Sequence, residues 1–120
     1  MKQKDIMLKD LDLSRNQISD VGLKSLSLAL KENTSIKFLN ISSNKIKEES
    51  MTNMVELLSD NTTLEELHLG SNVINNEGIK KFSEFLETNS TLRHLDISKN
   101  NFNDHGLNEF ARELAKNQGL

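Results

Sequence analysis

The chain contains no cysteine and no proline in 120 residues. Without cysteine there is no disulfide, no thiolate zinc site and no cysteine nucleophile, which excludes a cysteine-dependent ligase within this chain. A cysteine-free composition also fits a reducing compartment. Nowhere does the sequence approach the ~20 consecutive apolar residues that a membrane helix needs. The opening stretch from Met1 to Met7 lacks the apolar segment of a signal peptide. Nor is there a basic excess: 15 Lys and Arg stand against 18 Asp and Glu, for a net charge of −3. A nucleic-acid binder would carry a basic face, so that class is excluded. With no proline, no low-complexity stretch and no linker, no internal boundary is visible. These absences predict one soluble domain, expected in the cytoplasm, with neither membrane nor nucleic acid as partner.

What the chain does have is a period. Asn16, Asn44, Asn72 and Asn100 recur every 28 residues, and Asn33, Asn61, Asn89 and Asn117 keep the same interval. Apolar residues keep it too, so a single domain over 1–120 is read as one supersecondary unit copied four times, at about 8–35, 36–63, 64–91 and 92–119.

The third copy shows the physics. Leu67 and Leu69 flank polar His68, the alternation of a strand with one buried face. Asn72 follows where the chain must turn, and its side chain is expected to bond backbone groups of that turn and of a neighbouring copy. Ile74 points back to the core. Asn76, like Asp20 and Asp104 at the same phase, suits a helix N-cap. Ile79, Phe82 and Leu86 then form the inner stripe of an amphipathic helix. Asn89 is expected to end it in the left-handed conformation of a C-terminal cap.

The other copies predict inner strand residues Leu8, Leu11 and Leu13; Ile36, Leu39 and Ile41; and Leu92, Leu95 and Ile97. Their helix stripes are Leu23, Leu26 and Leu30; Met51, Met54 and Leu58; and Leu107, Phe110 and Leu114. Copy two departs at its helix start, with Glu48 for Asp or Asn and Ser50 for glycine, and a looser start is expected there. Strand, helix, strand in one direction makes a parallel sheet with right-handed crossovers. Strands about 4.8 Å apart and helices about 10 Å apart force the stack to curve, with strands on the concave side and helices on the convex side.

The pattern Leu-x-x-Leu-x-Leu-x-x-Asn-x-Ile, then Gly and Leu-x-x-Leu-x-x-x-Leu-x-x-Asn-Thr/Ser, runs from Leu8 to Ser35 and returns three times. It resembles the leucine-rich repeat, in its ribonuclease-inhibitor-like class with long repeats. The resemblance implies an α/β horseshoe solenoid and protein–protein recognition on the concave face. It is shared by ribonuclease inhibitors, small-GTPase activators, innate immune receptors, actin-filament-capping proteins and effectors of intracellular bacteria. The abundance of Asn, Lys, Ile and Ser points to a low-GC genome, which keeps a bacterial effector or a protist protein open. An effector would act in the host cytosol.

The strand residues flanking the second core leucine should face outward on the concave side: Asp10 and Asp12, Phe38 and Asn40, Glu66 and His68, His94 and Asp96. These eight are the predicted partner-binding set. Phe38 is the sharpest of them, because it puts an aromatic ring where the other copies have charged or polar residues; it is either an interface anchor or an ordinary exposed apolar residue. Aligned by phase, His68 lies beside Asp96 and His94 beside Glu66. Two imidazoles and two carboxylates could hold a divalent metal, but cross-strand charge pairs explain them better, so no metal, cofactor or catalytic residue is assigned.

Catalysis finds little else. Ser42 and Ser98 read as turn residues, no glycine-rich phosphate loop is present, and His105 reads as plain surface. A GTPase activator would need a positioned arginine, for which Arg15 is the one considered. Asn33, Asn40, Asn61 and Asn89 open N-glycosylation sequons, three of which follow from the repeat's helix-ending asparagine. Lys80, Lys81, Glu84 and Glu87 read as a solvated helix face. Leu120 sits at the phase of Leu8, and both end strands are expected to be open edges, as in a segment of a longer solenoid or a chain that self-associates through its ends. The function expected is therefore a protein-interaction module rather than an enzyme. The alternatives are a structural or self-associating solenoid segment and, behind it, a GTPase activator.

Overall fold

The computed structural model describes residues 8–87, 89–117 and 119–120, and all side chains among these except that of Leu57. The Met1–Met7 stretch considered above for a signal peptide lies outside the described residues.

Each copy folds into one three-residue strand and one helix. The chain runs β1 (Asp10–Asp12), α1 (Asp20–Lys31), β2 (Phe38–Asn40), α2 (Glu48–Asp60), β3 (Glu66–His68), α3 (Asn76–Leu86), β4 (His94–Asp96) and α4 (Asp104–Leu114). The strands form one parallel sheet in sequence order. Its register steps by one repeat at every junction, aligning Leu11, Leu39, Leu67 and Leu95. Each strand and each helix packs on its neighbours in sequence, giving an elongated body of 51 × 32 × 18 Å. This is the α/β leucine-rich-repeat solenoid that the period predicts.

One continuous core runs through the stack. Leu39, Ile41, Met51, Met54, Leu67, Leu69, Ile74 and Phe82 are fully buried within it. Phe85 is also buried, packed on Phe82 with ring centroids 5.6 Å apart, although it lies off the predicted stripe. The predicted core weakens towards both ends. Leu8, Leu107 and Leu114 are 46%, 46% and 39% exposed, because among the described residues no further repeat covers the outer sides of copies one and four. They are corrected here from core to surface.

The turn asparagines do what the sequence suggests. Asn72 Oδ1 accepts from the Asn44 and Ile46 N–H groups of the preceding copy (2.8 and 3.1 Å), while its Nδ2 donates to the carbonyls of Ile41, Leu69 and Gly70. Asn44 repeats this towards copy one. The residue before each ladder asparagine, Arg15, Ser43, Ser71 or Lys99, is left-handed, with φ between 54° and 60°. That conformation costs a non-glycine residue about 1 kcal/mol, and the bonds of the ladder hold it in place.

Two local expectations need correction. The N-caps are Ser19, Asn75 and Asn103, one residue before Asp20, Asn76 and Asp104, and each accepts from the N–H of a glycine three residues on. The actual cap is the residue whose side chain reaches back over the first turn, which leaves Asp20, Asn76 and Asp104 as first helical residues. In copy two Lys47 holds the cap phase, and Ser50 instead bonds Asp20 of the neighbouring helix through its hydroxyl. At the phase of Ser50, Gly78 admits no side chain easily, since a Cβ there would lie 2.9 Å from Ile74 Cγ2.

The second correction concerns the helix-ending asparagines, none of which is left-handed. Asn61 Oδ1 accepts from Thr63 and Leu64 (2.9 and 2.7 Å), and its Nδ2 reaches back to the carbonyls of Leu30 and Asn33. Asn117 does the same towards Leu86 and Asn89. These residues form a second ladder. A glycan on Asn61, only 6% exposed, would destroy it.

Candidate functional site

Three-residue strands have one job on the concave face: their central leucine points in and its two neighbours point out. The register therefore builds two rows across the sheet. One is Asp10, Phe38, Glu66 and His94; the other is Asp12, Asn40, His68 and Asp96. All eight predicted residues stand on this face, in the predicted order.

The rows are not uniform in what they leave free. Asp12 Oδ1 accepts from the Ser14 N–H and hydroxyl at 2.9 and 2.7 Å, and Asp96 makes the same pair of bonds with Ser98. Asn40 does likewise with Ser42 at 3.0 and 2.6 Å. These bonds hold the Asp12 carboxyl below the ordinary carboxylate range, the Ser14 hydroxyl first and its N–H second. Ser98 lowers Asp96 in the same way, with His68 adding to it. One oxygen of each is thus committed to shaping the turn, a role the sequence reading missed. Its signal was present as Asp/Asn-x-Ser at 28-residue intervals in copies one, two and four.

Copy three breaks that pattern with His68 and Gly70. Freed from the turn, the His68 ring lies between two carboxylates: Nε2 is 2.7 Å from Glu66, a hydrogen bond, and Nδ1 is 3.6 Å from Asp96, an ion-pair distance. Phe38 packs on the same imidazole, with centroids 5.1 Å apart and planes tilted by 45°. Phe38 and His68 are each half-buried. The structure thus brings together Phe38, Glu66, His68 and Asp96. Asp10 and His94 stand exposed on the two end strands, opposite Phe38 and Glu66 in register.

The metal set considered in the sequence, Glu66, His68, His94 and Asp96, is not assembled among the described residues. Among the described residues no three His, Asp or Glu side chains converge as metal ligands. Ser42 and Ser98 are turn residues as expected, bonded to Asn40 and Asp96. His105 is exposed at the start of α4. Arg15 is exposed on the turn after β1, its N–H bonded to the Ser42 carbonyl. Among the described residues no helix is long and apolar enough to cross a membrane.

The leucine-rich repeat family model matches residues 4–27, 32–54, 60–83 and 88–111, one match per copy. The chain belongs to the leucine-rich repeat family. Membership of this family points to protein–protein interaction in general. Among solved structures, that of leiomodin-1 actin-binding site 2 superposes with a TM-score of 0.87 at 23% identity, covering 94% of this chain and 67% of that one. The tropomodulin C-terminal domain of Caenorhabditis elegans does so with a TM-score of 0.63 at 15% identity, covering 93% of this chain and 85% of that one. At these identities the likeness is one of fold. No curated protein matches the chain in sequence.

Proposed function

We propose that this leucine-rich-repeat chain binds a partner protein on its concave face, centred on Phe38 and His68 and flanked by Asn40, Glu66 and Asp96. The observation that carries this is the Phe38–His68 pair. It sets a half-buried aromatic platform among carboxylates, on a face where the fold requires neither ring. A partner side chain seated there would meet a flat apolar surface and charged groups at its rim, the composition of an interface hot spot. No cofactor is needed. The likeness to an actin-binding site in leiomodin-1 makes actin the first partner to try.

The test is capture of partners from a lysate, and of purified actin, by the wild type and by Phe38→Ala/His68→Ala. Folding of both baits is checked by circular dichroism. Loss of the partner with the folded double variant supports the concave face. Equal capture by both baits moves binding to the convex helices or the ends and refutes the proposal.

A further inference from the structure

We propose that the convex face of the first two repeats docks an amphipathic helix of a partner protein, apolar on one side and basic on the other, at a site separate from the concave face. Val21 and Leu28 on α1 are 77% and 61% exposed. At positions i and i+7 they lie on one face of the helix, about 10 Å from each other along its axis. The other copies hold Glu49, Glu77 and His105 at the phase of Val21, and Glu56, Glu84 and Arg112 at that of Leu28. Glu49, Glu56, Glu77 and Glu84 are exposed although α2 and α3 are packed between neighbours on both sides. Exposure therefore belongs to these phases in every copy, and not to the place of α1 in the stack. Nor does the fold ask for Val21. The first turn of a helix favours an acid, as in copies two and three, and β-branched valine is a weak helix former there. Single exposed apolar residues are ordinary, but an aligned pair at phases otherwise charged makes a stripe.

Charge selects the occupant. The helix packed beside the stripe, α2, contains Glu48, Glu49, Glu56 and Asp60 but no Lys or Arg. Asp60 pairs with Lys31 at 3.2 Å, and Glu48 accepts from the Asn75 amide. Glu49 and Glu56 form no ion pair among the described residues. They stand at the phases of Val21 and Leu28, one helix spacing of about 10 Å away. A helix laid along α1 and α2 thus meets aliphatic side chains on one flank and unpaired carboxylates on the other. Its apolar stripe would cover Val21 and Leu28, and Lys or Arg on the adjoining face would reach Glu49 and Glu56. A second copy does not supply that pairing. A two-fold contact through the stripe sets Lys24, which lies between Val21 and Leu28, against Lys24, or α2 against α2. Both oppose like charges, which an interface penalises.

The test is fluorescence anisotropy of two labelled synthetic amphipathic helices against the whole chain, alike in their leucine stripe but carrying Lys or Glu on the polar face. The Lys peptide should bind and the Glu peptide should bind at least about tenfold more weakly. Val21→Glu/Leu28→Glu installs the residues that copies two and three already hold, so the fold is not at risk. It should weaken the Lys peptide about tenfold although it adds two acids, whereas attraction by charge alone would grow. Glu49→Lys/Glu56→Lys should weaken it by a similar factor, and Phe38→Ala/His68→Ala on the concave face should leave it unchanged. The proposal is overturned if the Lys peptide fails to bind, if it binds Val21→Glu/Leu28→Glu as well as the wild type, or if the Glu peptide binds equally. Loss of binding in the concave variant would place the peptide on the other face and overturn it too. Self-association in sedimentation equilibrium that Val21→Glu/Leu28→Glu abolishes would make a second copy the occupant, against the proposal.

Discussion

Two sets of residues cross this solenoid side by side, and the fold treats them differently. The asparagines at 16, 44, 72 and 100 are identical in every copy, and at 44, 72 and 100 the amide joins its turn to the preceding one. The row Asp10, Phe38, Glu66 and His94 is different in every copy, yet its members occupy equivalent positions in the sheet register. Where the backbone demands a side chain, the repeats agree. Where it demands none, they are free to differ, and that freedom is the raw material of recognition.

The largest effect expected along this contrast is at the buried end of the ladder. Asn72→Ala strips five hydrogen bonds and leaves buried backbone groups unpaired, at a cost of about 4 kcal/mol. The Asn16 side chain, at the same phase but exposed, bonds only the Leu13 and Ser14 carbonyls of its own turn, and Asn16→Ala should cost about 1 kcal/mol. Urea titrations of the two variants measure the gap, and equal costs would break the distinction between internal and outer repeats.

The core grades in the same direction. Leu67→Ala, at a fully buried site, should cost about 3 kcal/mol by transfer and cavity terms. Leu107→Ala, at a helix position already 46% exposed, should cost about 1 kcal/mol. A smaller separation in thermal unfolding would mean that the outer repeats are covered in solution.

A finer test uses acid. Asp12 and Asp96 are held below the ordinary carboxylate range by Ser14 and Ser98. A carboxyl depressed in the folded state stabilises the fold above its unfolded pKa and loses that contribution as pH falls through the folded value. Stability should therefore decline on acidification below about pH 4, where unfolded carboxylates begin to bind protons. Asp96→Asn keeps the acceptor for Ser98, as Asn40 does for Ser42, so it should soften the acid decline while changing neutral stability by less than about 1 kcal/mol. An unchanged acid profile would refute the assignment to this turn.

Most of the fold was legible because the repeat multiplies each weak signal by four. The period located every strand and helix, and the phases of Leu39, Leu67 and Phe82 named the core. The off-by-one helix caps were not legible from a single copy, since Asn75 and Asn76 are both competent and only the backbone geometry chooses between them. The left-handed residue likewise falls at Ser71, not at Asn89, because the asparagine amide is worth more bonded across the turn than freed by it. On the concave face the sequence placed all eight residues. It did not show that Asp12, Asn40 and Asp96 each commit an oxygen to the turn, nor that His68 would turn to Glu66 and Phe38.

The most direct measurement is a side-by-side urea denaturation of Phe38→Ala/His68→Ala and Asn72→Ala. The concave pair is half-buried and its ion pairs are partly solvated, so its loss should cost no more than about 1 kcal/mol, against about 4 for the ladder asparagine. Should the concave double variant instead unfold as readily as Asn72→Ala, Phe38 and His68 would belong to the scaffold, and the division between residues the fold requires and residues it leaves to a partner would fail.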